Sequence, residues 1–258
     1  MSFSLTDSER IQLNADLQSY LRRAAARRPN SQRSGPFLAR FDDDDVNPYS
    51  NYAIPDDGAD PDGAAIAALI ALFEARRRKP RLEYVAEAAP RLEAALIARG
   101  FSVEARVPVM VCLPGMQTGG PEISGLHIFV ASGDDDLTGA EAAQAEAFGG
   151  EARGPRGMRR LIRHGGIVVA ARDTASGAIV GSGTVMVPVD GISEVTSIGV
   201  RSAFRRRGAA GTITALLARQ AFAAGMKLLW LTPGGHDAER IYARAGFHVA
   251  SEALHISL

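Results

Sequence analysis

Arg81 to Met110, RLEYVAEAAPRLEAALIARGFSVEARVPVM, lies over Lys227 to Ile256, KLLWLTPGGHDAERIYARAGFHVASEALHI, without a gap. Leu82 falls on Leu228, Tyr84 on Trp230, Glu93 on Glu239, Gly100 and Phe101 on Gly246 and Phe247, and Val103 on Val249. Each stretch reads as a strand, a helix, a Gly-Phe stop and a second strand. Self-similarity of this kind means that one supersecondary unit has been used twice. The chain has 258 residues, a length that suits one large domain or two small ones. The repeat argues for two.

The copies differ in what precedes them. Before the second stands Glu194 to Thr212, EVTSIGVRSAFRRRGAAGT. Its β-branched start, Glu194 to Val200, reads as a strand. Ile213, Leu216 and Leu217 then recur at helical spacing, so a helix begins near Ala209. Arg205, Arg206 and Arg207 lie between them with no carboxylate nearby in the sequence. The first N–H groups of a helix have no partner within it, and the macrodipole favours an anion there. Small residues let a phosphate approach the backbone, and Gly208 can take dihedrals closed to other residues. The stretch has neither GxxxxGK[ST] nor GxGxxG, so it is neither an NTPase P-loop nor a dinucleotide fingerprint. Before the first copy the corresponding turn is Pro55 to Asp62, PDDGADPD. Its four aspartates repel a pyrophosphate.

Arg205-x-x-Gly208-x-Ala210 fits the [Q/R]-x-x-G-x-[G/A] signature of the GNAT superfamily, the acetyl-CoA-dependent N-acetyltransferases, and residues 125 to 258 resemble that family. Ile198 and Val200 match its I-x-V strand. Ile241-Tyr242-Ala243-Arg244-Ala245-Gly246-Phe247 is similar to its LYxxxGF ending. The resemblance implies an α/β fold, an α+β mixed sheet that is mostly antiparallel and flanked by helices. With the repeat, it implies a tandem form: a degenerate GNAT-like half at 1–118 without a CoA site, and an acetyltransferase domain at 119–258. It implies acetyl-CoA as co-substrate, held by Ile198, Gly199, Val200, Arg205, Arg206, Arg207, Gly208, Ala209, Ala210, Gly211 and Thr212. The three arginines are candidates for the pyrophosphate and the 3′-phosphate, with at least one left facing solvent.

Transfer from a thioester to an amine calls for a base, an oxyanion donor and an acid for the leaving thiolate. The resemblance assigns the acid to Tyr242, which Leu96 replaces in the first copy, and the oxyanion donor to the backbone N–H of Val200 or Gly199. Glu194 is the base candidate. Strand periodicity puts it on one face with Thr196, Ile198 and Val200. His236 is an outside candidate. Where the family often has Asn, seven residues before the tyrosine, this chain has Gly235. An acyl-CoA-binding protein without catalysis and a longer-chain acyltransferase remain open as alternatives.

Composition narrows the partners. Formal net charge is zero, which argues against a general nucleic-acid binder. One cysteine, Cys112, rules out an internal disulfide framework and a Cys-cluster metal site, and the five histidines show no paired metal spacing. Cys112 sits in an apolar run and reads as a small buried hydrophobe. The polar start MSFSLTDSER does not resemble a signal peptide, and no apolar run reaches membrane length. The expected setting is cytoplasmic. The expected acceptor is a small-molecule amine rather than a protein, with no metal, nucleic acid or membrane partner; a homodimer is compatible with the sequence.

Local signals order the chain. Thr6-x-x-Glu9 caps a first helix and Asp62 a second. Residues 30 to 36 read as a polar turn. Asp42 to Asp45 is a charge block of the solvated kind. The Gly/Pro-rich segment 114 to 125 reads as a linker between the halves. Thr138-x-x-Glu141 reads as a capping box, and Asp190-Gly191 as a hairpin turn.

Overall fold

The computed structural model describes residues 3–43 and 45–258. Asp44, within the acidic run, and the first two residues of the polar start lie outside the described residues. In chain order the elements are α1 (Asp7–Ala26), β1 (Ser31–Ser34), β2 (Phe37–Arg40), β3 (Tyr52–Pro55), α2 (Gly63–Ala75), β4 (Arg81–Val85), α3 (Leu92–Ile97), β5 (Ser102–Cys112), β6 (Leu126–Val130), α4 (Asp134–Phe148), α5 (Arg156–Arg163), β7 (Ile167–Asp173), β8 (Ile179–Val185), β9 (Ile192–Val200), α6 (Ala209–Ala223), β10 (Leu228–Leu231), α7 (His236–Arg244) and β11 (His248–Ser257). Among the described residues no helix is long and apolar enough to cross a membrane.

The chain forms two compact units. One runs to Val109 and includes Ala250–Leu258; the other is Met110–Val249. The first unit has strand order β1-β2-β3-β4-β11. Residues 31–34 are not a turn, as their polarity suggested. They pair with β2 in a hairpin whose bend is Gly35, at φ 54°. Edge position accounts for this, since the outward side chains of β1 meet solvent. β3 and β4 run parallel, joined at Ala53 and Leu82, with α2 between them in sequence. Phe37, Ile66, Leu69, Phe73, Leu82, Leu92, Leu96 and Phe101 fill the core beneath. The Thr6–Glu9 capping box has both of its arms.

The second unit has strand order β5-β10-β9-β8-β7-β6. Every neighbouring pair whose register is known is antiparallel except β9 with β10. That parallel pairing is short: Ile192 with Leu228, Ser193 with Leu229 and Glu194 with Trp230. Beyond Glu194, β9 continues to Val200 without β10 beside it. α6 packs on one face of this sheet, where Ile213 and Leu217 lie against Gly183. α4 packs on the other, where Ser182 Oγ donates to Ala140 O. Asp190 and Gly191, at φ 53° and 84°, make the tight β8–β9 turn that the pair predicts.

α4 begins four residues before the expected cap. Thr138 lies inside it and donates to Asp134 O at 2.7 Å, so it is not an N-cap. Three aspartates occupy the first turn, where the helix dipole favours them, and this moves the start to Asp134.

The repeat is visible in the elements. β4, α3 and β5 correspond to β10, α7 and β11. The closing strand of each repeat pairs with the penultimate strand of the other. Met110 to Cys112 of β5 lie opposite Leu231 to Leu229 of β10, and Ala253 to Ser257 of β11 lie opposite Val85 to Arg81 of β4.

Candidate active site

The free stretch of β9 and the start of α6 define a cavity of about 760 Å³ within the second unit. α6 has Gly208 as its N-cap, at φ 90°, with no side chain bonded to the helix start. Its first internal contact is Thr212 N to Gly208 O, so the N–H groups of Ala209, Ala210 and Gly211 have no helical partner. This is the local chemistry of an anion site. Only glycine takes the Gly208 conformation without strain.

The three arginines have different positions. Arg205 Nε donates to Val200 O at 3.0 Å and Nη2 to Ala147 O at 3.4 Å. Its guanidinium thus ties the turn to β9 and α4 while lining the cavity. Arg206, at φ 61°, also lines the cavity. Arg207 does not: its Nη2 donates to Ser124 O, and its guanidinium lies 5.5 Å from the Phe204 ring centre. The other residues predicted for the cofactor, Ile198, Gly199, Val200, Gly208, Ala209, Ala210, Gly211 and Thr212, all line the cavity.

Strand β9 carries a feature that the sequence did not show. Its register against β8 shifts between Ser182 and Thr184, and Ser197 stands at φ 55°. This bulge breaks the two-residue period. Thr196 pairs with Thr184 and Gly199 with Ser182, while Val195 pairs with Val185 and Val200 with Gly181. Glu194 and Thr196 therefore share the α4 face with Gly199, and Val200 joins Val195 on the α6 face. The expectation of one face for Glu194, Thr196, Ile198 and Val200 fails because of that extra residue.

The same register distinguishes Val200 from Gly199. Arg201 N donates to Val180 O, so in the antiparallel ladder the hydrogen-bonded pairs are Arg201 with Val180 and Gly199 with Ser182. Gly199 N–H points at β8. Val200 N–H points to the opposite edge, where β10 has diverged. Gly199 has a different role. A Cβ there would stand 2.8 Å from Ala147 Cβ, so its lack of a side chain lets the end of α4 approach β9.

Tyr242 lines the cavity from α7 and packs on the apolar core of the unit. Burial raises its pKa above the ordinary tyrosine value, so the phenol keeps its proton through neutral pH. Glu194 is half-buried on the paired part of β9, outside the cavity lining. His236 is exposed at the start of α7, 3.8 Å from Glu239, and does not line the cavity. Trp230 is buried within β10. Cys112 is buried too, and its thiol is pushed up to about 12 by burial. Among the described residues no cluster of His, Cys, Asp and Glu could hold a metal ion.

One wall was missed. Thr118, Gly119, Gly120 and Pro121, from the segment read as a linker, line the cavity beside α6 and α7. Gly120 serves close packing: a Cβ there would stand 2.9 Å from Thr212 Cα. Asp237 and Arg244 of α7 also line the cavity, and Asp237 is the one carboxylate among its lining residues.

The first unit has its own parted strands and helix start, in a closed form. β3 and β4 also diverge beyond their single parallel pairing. There Gln18 of α1, fully buried, donates to Pro55 O at 2.8 Å and accepts from Val85 N at 2.9 Å. The start of α2 is capped by Asp62, whose side chain accepts from Ala65 N at 2.8 Å. Asp57 pairs with Arg22 and Asp56 with Arg33.

Residues 139–247 match the model of the acetyltransferase (GNAT) family. A GCN5-related N-acetyltransferase from Kribbella flavida shares the fold over 95% of both chains, with 25% identity and a TM-score of 0.80. A GCN5-related N-acetyltransferase from Sphaerobacter thermophilus aligns over 86% of this chain and 76% of its own, at 18% identity and a TM-score of 0.65. A tandem GNAT protein from the clavulanic acid biosynthesis pathway shares the fold over 99% of this chain and 96% of its own, at 14% identity and a TM-score of 0.61. No curated protein matches the sequence. Residues 139–247 thus form a domain that is similar to the acetyltransferase (GNAT) family.

Proposed function

We propose that this protein transfers an acetyl group from acetyl-CoA to the primary amine of a small molecule, and that the second unit alone holds the cofactor. The carrying observation is the start of α6, which no side chain caps, with three N–H groups that lack a helical partner on a cavity that also contains Tyr242 and the stretch of β9 that β10 does not pair. The residues suit CoA. The α6 N–H groups and Arg206 would hold the diphosphate. The β9 edge offers backbone groups to the amide-bearing arm. Bound there, the cofactor supplies an acyl thioester.

Each residue then has a task. Val200 N–H donates to the acyl oxygen as charge grows on it. Glu194, on the α4 face, accepts a proton from the ammonium of the acceptor, directly or through water. As the amine nitrogen bonds to the acyl carbon and the carbon–sulfur bond breaks, Tyr242 gives its proton to the leaving sulfur and recovers one from the nitrogen, so the products are the amide, the CoA thiol and the proton taken up by Glu194. Arg205 holds the turn so that the α6 start and Val200 keep their spacing. In the first unit the plugged strands and capped helix leave no place for the diphosphate, so that half serves as structure.

The test is thiol release from acetyl-CoA with a panel of small primary amines, in wild type and Glu194→Gln. Amine-dependent release, reduced about 100-fold in the variant and no longer rising with pH on the acid side, supports the reading. Unchanged turnover with an unshifted profile in Glu194→Gln would remove Glu194 from the mechanism. Stoichiometric binding of acetyl-CoA without amine-dependent release from any acceptor would favour a non-catalytic acyl-CoA-binding protein.

A further inference from the structure

The segment before β6 is bonded into the site at both ends. Thr118 N donates to Ala245 O at 3.2 Å, and Thr118 Oγ1 donates to Arg244 O at 2.7 Å, both at the end of α7. Thr212 Oγ1, in the first turn of α6, donates to Pro121 O at 3.2 Å. Two glycines permit this course. A Cβ on Gly246 would stand 2.2 Å from Met116 O, and one on Gly120 would stand 2.7 Å from Thr212 Cγ2. The segment therefore lies as a strap from the end of α7 to the start of α6. Between its fixed ends, the N–H groups of Gly119 and Gly120 have no hydrogen-bond partner among the described residues, and both glycines line the cavity.

We propose that residues 118–121 form a second wall of the cofactor's diphosphate site, with the Gly119 and Gly120 N–H groups facing an anion held by the start of α6. This rests on the reading of the cavity as a CoA site. Two successive N–H groups near a helix N-terminus add donors without side-chain entropy, and successive backbone N–H groups are a known way to hold an anion. Free N–H groups and an anionic ligand suit one another, because charge-assisted bonds are the stronger kind. The strap also fixes the distance from the α6 start to α7, which carries Tyr242. It thus acts on the nucleotide end of the ligand and has no direct part in the chemistry at the sulfur.

The strap's contribution is read from a ratio. In wild type, Gly120→Val and Thr118→Val, kcat/KM is measured with acetyl-CoA and with acetyl-pantetheine, which lacks the diphosphate, and the CoA dissociation constant is measured alongside. Thermal melting reports on folding. The Gly120 variant pushes the strap off Thr212, and the Thr118 variant frees its other end without adding bulk. The expected result is a fall of about 10-fold in the acetyl-CoA to acetyl-pantetheine ratio, with a matching rise in the CoA dissociation constant. An unchanged ratio in both variants, at wild-type CoA affinity, would overturn the inference and leave the CoA site standing. Equal losses with both donors would also overturn it, since they would mark a merely structural role. Wild type that binds no CoA would remove the underlying reading and this inference together.

Discussion

The two repeats treat the same structural opening in opposite ways. In each, two parallel strands part after a brief pairing and a helix starts close by. In the first, Gln18 bridges the parted strands and Asp62 caps the helix, so the backbone groups exposed there are satisfied by the protein. In the second, β10 leaves β9 at Glu194, Gly208 caps α6 without a side chain, and the free groups face a cavity. Unmet hydrogen-bonding capacity costs stability when it is buried. Its concentration at one repeat and removal at the other distinguishes the two repeats more sharply than fold does, because the fold elements are shared.

Substitutions can break that contrast from either side. The largest effect is expected from Gly208→Asp, which brings the second repeat toward the first. A side chain is strained at φ 90°, and a carboxylate would take the place of the phosphate. Calorimetry should show at least about 1,000-fold weaker CoA binding. Wild-type affinity in this variant would move the anion site elsewhere.

Tyr242→Phe copies the loss of the hydroxyl that Leu96 represents in the first repeat. It should lower kcat about 100-fold with little change in KM for acetyl-CoA. The pH profile sharpens this. Burial raises the phenol's pKa, so as a proton donor it is active below that raised value and fails only as pH climbs through it. Wild-type turnover should therefore persist above the pH at which an ordinary tyrosine ionises. A kcat equal to wild type in the Phe variant would remove the acid role.

Gln18→Ala tests the plug. It leaves Pro55 O and Val85 N without their buried partner and should cost about 2 kcal/mol in denaturant unfolding. Asp62→Ala has the smallest effect. Loss of one cap should cost about 1 kcal/mol. CoA affinity should not change in either variant. Altered affinity would give the first unit a part in binding.

Much of this was legible in the sequence because it rests on short-range rules. Arg205 to Thr212 names a turn and a helix start, and Ala209 is where the helix begins. The repeat predicted the order of β10, α7 and β11 from β4, α3 and β5. What stayed hidden depends on partners far along the chain. The bulge at Ser197 is a matter of register against β8, and the alternation of Val195, Thr196 and Ile198 gives no sign of it. The role of Gly120 depends on Thr212, which is distant in sequence. No local pattern marks Gln18, and only the parted strands beneath it show its task. The start of α4 went to Thr138 because a capping box is a local pattern, and three aspartates upstream outweighed it.

The most direct measurement is the stoichiometry of acetyl-CoA binding to the full chain by isothermal titration calorimetry. One equivalent per chain, lost in Gly208→Asp, is the predicted result. Two equivalents, or one that survives in Gly208→Asp, would show that the first repeat or another surface holds the cofactor and would contradict the division between an open and a closed repeat.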